Sequence, residues 1–179
     1  GNYTVQRLAP GNYKIDFYTA NANGSYVREW YNDKSSVIAA DLVEVTSGNT
    51  TTINAVLAAA GTVIGRVTDE QGAGIQGVRV QLRDLANINR WSAVTNSNGD
   101  YTIKGITTGL YKVFYNTYSA VGSYLPEYYN DKQLFTDGET ISVTAGQTYT
   151  GIDAVLAPGC TITGTVTDES ANPLEMIDV

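Results

Sequence analysis

Histidine is absent from this chain and cysteine occurs once, which removes two of the commonest sources of catalytic and metal-binding chemistry. Neither a Ser-His-Asp nor a Cys-His pair can be assembled, and thiolate or imidazole metal sites are excluded with them. Cys160 has no second cysteine to pair with inside the chain. It reads as a small apolar residue packed at the start of a strand. Lys and Arg number 11 against 18 Asp and Glu, giving a formal net charge of −7. Nucleic acid is thereby excluded as a partner, because phosphate binding needs clustered cations. No apolar run reaches the ~18 residues of a membrane-spanning helix, and no leader peptide occurs within the segment. Gly1 falls inside a repeat, so this describes the segment alone.

What is present describes a folded, strand-rich chain: 42% apolar residues, 18 Gly and 13 Tyr in 179 residues. The dominant feature is internal repetition. Gly24-Ser25-Tyr26 and Glu29-Trp30-Tyr31-Asn32-Asp33-Lys34 return as Gly122-Ser123-Tyr124 and Glu127-Tyr128-Tyr129-Asn130-Asp131-Lys132, with Tyr129 lying 98 residues after Tyr31. After one inserted residue the offset becomes 99, pairing Ile53 with Ile152 and Gly65 with Gly164. A repeat of about 100 residues is the size of one β-sandwich.

The complete unit spans 61–158. Residues 62–68 are rich in β-branched side chains and are followed by Asp69 and the glycines of a turn. Residues 78–83 alternate strictly, placing Val78, Val80 and Leu82 inward. A weaker strand is expected at 91–95, closed by a tight turn at Asn96, Asn98 and Gly99, and strands follow at 101–104 and, with alternating character, at 110–115. Residues 116–138, which hold the repeated block, read as a long loop. Strands at 139–143 and 149–156 bring the count to about seven, and no segment has a helical apolar stripe. The expected fold is all-β, with tandem seven-stranded Greek-key β-sandwiches.

The order GTVIGRVTDEQGAGIQGVRVQL, TNSNGDYTIKGITTGLYKV and GIDAVLAPG resembles the bacterial carboxypeptidase regulatory-like domain, a transthyretin-type (prealbumin-like) sandwich. The resemblance covers the complete unit and both partial ones. It implies a non-catalytic accessory, spacer or adhesive module of secreted or cell-surface proteins, hence an extracellular or surface location. One departure is Met176, which stands where the full unit has Gly77.

By register, residues 1–60 form a partial repeat holding the later strands of a sandwich, and 159–179 form one holding the first strands of the next. Two readings follow. The window belongs to a longer array of neighbouring repeats, or identical chains join head-to-tail by exchanging strands into a fibre. A composite of the two partial units has no counterpart of residues 82–98, and so no third strand.

The aromatic block offers the candidate binding site. Tyr26, Trp30 and Tyr31 in one copy, and Tyr124, Tyr128 and Tyr129 in the other, place flat rings beside amide and carboxylate groups, a combination suited to a polysaccharide. The competing reading is that the rings cover the end of the sandwich while Asn130 and Asp131 pin the loop. Asp33, Asp131, Asn96, Asn98 and Asp100 supply oxygens that a calcium ion could use, but the spacing does not match an acidic twelve-residue loop and no metal is assigned. An intramolecular isopeptide bond is excluded, since Asn54 and Asp153 face Arg66 and Thr165 where a Lys is required. Glu127 and Asp131 are too weak a pair to indicate hydrolysis. Sequons occur at Asn2, Asn23 and Asn49. No catalytic residue and no cofactor is expected, and the reading is of a non-enzymatic stalk, surface spacer, adhesin or fibre, with a carbohydrate-binding accessory module of a secreted enzyme as the alternative.

Overall fold

The computed structural model describes residues 1–176, and the second strand expected in the last partial repeat begins at 177, outside them. Among the described residues the chain is all-β. The first segment carries β1 (Gly11–Tyr13), β2 (Asp16–Phe17), β3 (Glu29–Trp30) and β4 (Val43–Val45). The second carries β5 (Gly61–Asp69), β6 (Arg79–Arg83), β7 (Asn89–Val94), β8 (Asp100–Ile106), β9 (Gly109–Asn116), β10 (Glu127–Tyr128), β11 (Thr140–Val143), β12 (Thr148–Tyr149) and β13 (Ala154–Leu156).

Strands β5 to β13 make two sheets. In one, β7, β6 and β9 run antiparallel in that order, and β10 and β11 share the far edge of β9. In the other, β8 pairs antiparallel with one edge of β5, while β12 and β13 pair parallel with the other edge. The inward set read in residues 78–83 holds, though Gln81 is buried as well: Val80 and Leu82 of β6 join Val113 and Tyr115 of β9, Val63 and Val67 of β5 and Leu156 of β13 in one core. Each of these aliphatic side chains is fully buried and contributes roughly 1.5–3 kcal/mol of transfer free energy. The single strand expected at 149–156 is instead two, because Gly151 takes a φ of 75° and turns the chain between β12 and β13.

The first segment repeats part of this pattern. Tyr13 pairs with Val43 as Tyr111 pairs with Ile141, and Asp16 pairs with Trp30 as Phe114 pairs with Tyr128. The bridge Tyr26 to Ala59 corresponds to Tyr124 to Pro158. Residues 1–8 and 53–58, which hold the register counterparts of β8 and β13, form no ladder. β8 and β13 do not pair with each other; both pair with β5, and among the described residues nothing equivalent to β5 lies between residues 1–8 and 53–58. Backbone groups without a ladder partner remain solvated.

The same cause governs residues 160–168, which correspond to β5 and form no strand among the described residues. Cys160 is therefore exposed and not packed as a small apolar side chain at a strand start. Asp168 still organises the following turn as Asp69 does: its Oδ1 accepts from the backbone N–H groups of Ser170 and Asn172, where that of Asp69 accepts from Gln71 and Ala73. Met176 takes a φ of 57° at the position where Gly77 takes 87°, a left-handed conformation that glycine adopts more readily.

Candidate functional site

The repeated block closes a short hairpin. Tyr128 N–H donates to Lys132 O at 2.6 Å and Lys132 N–H returns the bond at 3.1 Å, so Tyr129, Asn130 and Asp131 form the turn. Asn130 and Asp131 take φ of 62° and 58°, as Asn32 and Asp33 take 66° and 57° in the other copy. Asx residues tolerate this region better than other side chains, which accounts for Asn-Asp at both turns. The amide of Asn130 donates to Glu139 at 2.6 Å, matching Asn32 to Asp41 at 2.7 Å.

The candidate rings do not share one face. Tyr128 is buried, its ring 4.7 Å from Phe114 and 5.9 Å from Phe135. Phe135 is held there by Lys112, whose Nζ donates to the Phe135 carbonyl at 2.6 Å and lies 4.6 Å from the ring centre. Lys14 reaches Val37 and Ile38 carbonyls in the same way in the first copy. Tyr129 is half-buried against the core, and its N–H donates to Val113 O at 3.0 Å. Tyr124 is half-buried where the chain crosses Pro158, and its carbonyl accepts from Thr117 Oγ1 at 2.8 Å. In the first copy Trp30 and Tyr31 are half-buried and Tyr26 is 37% exposed.

Beside these rings lies a feature that the sequence did not disclose. Glu127 is only 6% exposed, and its carboxyl is pushed up to about 7, mainly by loss of hydration and secondarily by the neighbouring Asp131. Its counterpart Glu29 is raised for the same two reasons, burial and Asp33, and its Oε1 is buried without a hydrogen-bond partner. The paired glutamates of the repeat were visible in sequence; their burial was not, because alternation in a two-residue strand carries no period.

A second polar constellation ties the end of the core. Tyr101 and Tyr115 both donate to the Ile152 carbonyl, at 2.5 and 3.0 Å, and burial pushes both hydroxyls well above the ordinary phenol range. Tyr3 repeats one of these bonds, donating to Ile53 O at 3.2 Å beside Phe17. Asp153 Oδ1 accepts the backbone N–H of Arg66 at 2.7 Å. Asn96 Oδ1 accepts from the amides of Asn98 and Asp100, so it acts as a turn former.

Where the two segments meet, Ser25 links three pieces of backbone. Its hydroxyl donates to Gly61 O and accepts from Gly105 N–H, each at 2.9 Å, and its carbonyl accepts from Ala60 N–H at 2.9 Å. An open cleft of about 580 Å³ runs beside this junction, lined by Val27, Arg28 and Ser35 on one side and by Asp84, Arg90, Trp91, Gly105, Thr107 and Tyr111 on the other. Arg28 and Arg90 are engaged with Asp16 and Asp84 at 2.6 and 2.7 Å. Neither Glu127 nor Asp131 lines it.

The profile of the carboxypeptidase regulatory-like domain matches residues 62–157, more than half of the chain. No curated protein matches. Among solved structures, a candidate carbohydrate-binding protein from Bacteroides uniformis is similar at a TM-score of 0.39 and 16% identity, over 56% of this chain and 42% of that one. The Bacillus anthracis TIE protein is similar at a TM-score of 0.41 and 17% identity, over 66% of this chain and 21% of that one. The chain thus spans less than half the length of either, and likeness at this level carries nothing about function.

Proposed function

We propose, for a chain that belongs to the carboxypeptidase regulatory-like domain family, a non-catalytic structural role outside the cell, with tandem transthyretin-like Greek-key sandwiches acting as a stalk or surface spacer. On this reading residues 61–158 are one bead, and 1–60 and 159–179 belong to its neighbours. The observation that carries the proposal is the Ser25 junction. A connection of a few residues whose backbone is bonded to both flanking segments resists bending, which a flexible linker does not. Part of the junction recurs one repeat later, where Gly159 N–H donates to Ser123 O at 2.9 Å as Ala60 N–H does to Ser25 O.

The burial of Tyr128 and the half-burial of Tyr129 and Tyr124 support a packing role for the repeated rings, because a ring enclosed on both sides offers no face to a sugar. Small-angle scattering of the full chain tests the proposal. A single compact domain of this length has a radius of gyration of about 16 Å; a clearly larger value with an extended distance distribution is expected, and the compact value would refute it.

A further inference from the structure

We propose that the cleft at the junction of the two segments binds a neutral polysaccharide, with the indole of Trp91 as its platform. The inference goes beyond the stalk reading, which does not require it, and the site is distinct from the rings of the repeated block.

The walls of this cleft do not depend on strands of any other repeat. Leu125, Pro126 and Gln133, the counterparts of Val27, Arg28 and Ser35, are exposed in the complete unit with β5 to β13 all in place. The strands of a repeat therefore leave that wall uncovered. In the sheet, β6 and β7 lie on the opposite edge of β9 from β10, so strands in those positions stand away from the block. The facing wall, with Asp84, Arg90, Trp91 and Thr107, comes wholly from residues 61–158.

The lining suits a sugar ring. Trp91 is half-buried and braced by Tyr111, with ring centres 5.2 Å apart and planes at 84°, so its indole is ordered before a ligand arrives. Two Arg–Asp pairs stand around it: Arg90 Nε donates to Asp84 at 2.7 Å, and Arg28 Nε and Nη2 donate to Asp16 at 2.9 and 2.6 Å. Thr107 and Ser35 add hydroxyls. A pyranose presents an apolar C–H face and a rim of hydroxyls that both donate and accept, which matches one flat ring flanked by planar donors and acceptors. Each guanidinium already faces its own carboxylate and the chain carries a net charge of −7, so an anion would have to displace Asp16 or Asp84. That selects an uncharged ligand. The volume of about 580 Å³ falls within the range of small-ligand sites, and an open cleft admits the middle of a chain as well as its end.

Internal repetition separates this wall from the scaffold. Between residues 24 and 35 the two copies differ only at Val27, Arg28, Trp30 and Ser35, which become Leu125, Pro126, Tyr128 and Gln133. Three of those four, all but Trp30, line the cleft. The block thus repeats its turn and packing residues and varies where it faces the cleft, the pattern of a scaffold that carries a recognition surface.

Affinity electrophoresis of the full chain tests the proposal, in native gels containing laminarin, xylan, starch or galactomannan, with alginate and dextran sulfate as charged comparisons. At least one neutral polysaccharide is expected to retard the chain. Trp91→Ala should weaken that retardation by about ten-fold or more. Arg28→Pro, which installs the residue the other copy already carries, should weaken it several-fold without loss of the fold, as thermal melting checks for both variants. Tyr118→Ala, which removes a ring that is 97% exposed and outside the cleft, should leave it unchanged. In a Trp30→Phe chain the remaining indole is Trp91, and its emission should shift or be quenched by the same polysaccharide. No retardation by any of the neutral polysaccharides, stronger retardation by alginate, or equal retardation of wild type and Trp91→Ala would each overturn the proposal. Scattering of the free chain tests the stalk reading separately.

Discussion

Replacing Glu127 by Gln should stabilise the complete unit at pH 8 and leave it nearly unchanged at pH 4.5. Glu127 sits in β10 opposite Tyr115, almost out of contact with water, and its carboxyl is raised from 4.5 to about 7. A folded-state value above the unfolded one means that the protonated form fits the fold. The associated stability is fully present below about pH 4.5 and is lost as pH rises through about 7. A shift of that size without screening corresponds to roughly 3 kcal/mol. Screening by water around the exposed turn residues Asn130 and Asp131 beside it leaves about 1–2 kcal/mol. Urea unfolding followed by circular dichroism should therefore show the wild-type chain losing about 1–2 kcal/mol between pH 5 and 8, with Glu127→Gln removing most of that slope. Glu29→Gln should remove a further part in the same direction, since its carboxyl is raised by the same causes. Equal slopes in wild type and Glu127→Gln, or a Gln variant less stable at pH 8, would refute the reasoning.

Three other perturbations follow from the geometry. Tyr128→Ala empties the space between Phe114 and Phe135 and should cost about 3–5 kcal/mol, read as a fall in melting temperature, with Trp30→Ala costing less because Trp30 is half-exposed. Ser25→Ala leaves the Gly105 amide and the Gly61 carbonyl without their shared partner; ~1–2 kcal/mol of junction stability should go, and the scattering distance distribution should broaden. Gly65→Ala should destabilise by about 1–3 kcal/mol in urea unfolding through its collision with the Ile152 carbonyl, while Gly164→Ala should be silent in the isolated chain.

Much of the framework was legible in one dimension. Val80 and Leu82 announce their inward face by alternation, Asn96 and Gly99 announce a tight turn, and the 98-residue recurrence identifies which bonds should come in pairs. Lys14 and Lys112, Asn32 and Asn130, and Ser25 and Ser123 occupy matching places for that reason. The candidate rings were less legible, because whether Tyr128 meets solvent depends on Phe135, brought over it by a loop without periodicity. Burial of Glu127 escaped for a similar reason.

Periodicity, turn chemistry and self-similarity are local properties, and these determined the all-β class and the inward face of Val78, Val80 and Leu82, but not the break at Gly151 between β12 and β13 or the short β10 inside the loop expected at 116–138. Strand formation in a sheet is not local. Residues 1–8, 53–58 and 160–168 carry the same patterns as β8, β13 and β5, yet they form no ladder where the pairing strand is elsewhere, because a strand's hydrogen bonds are completed only by a neighbour. Tertiary structure alone decided which copies of the pattern become strands, which glutamate is driven toward neutrality by burial, and which glycine lies under a tyrosine bond.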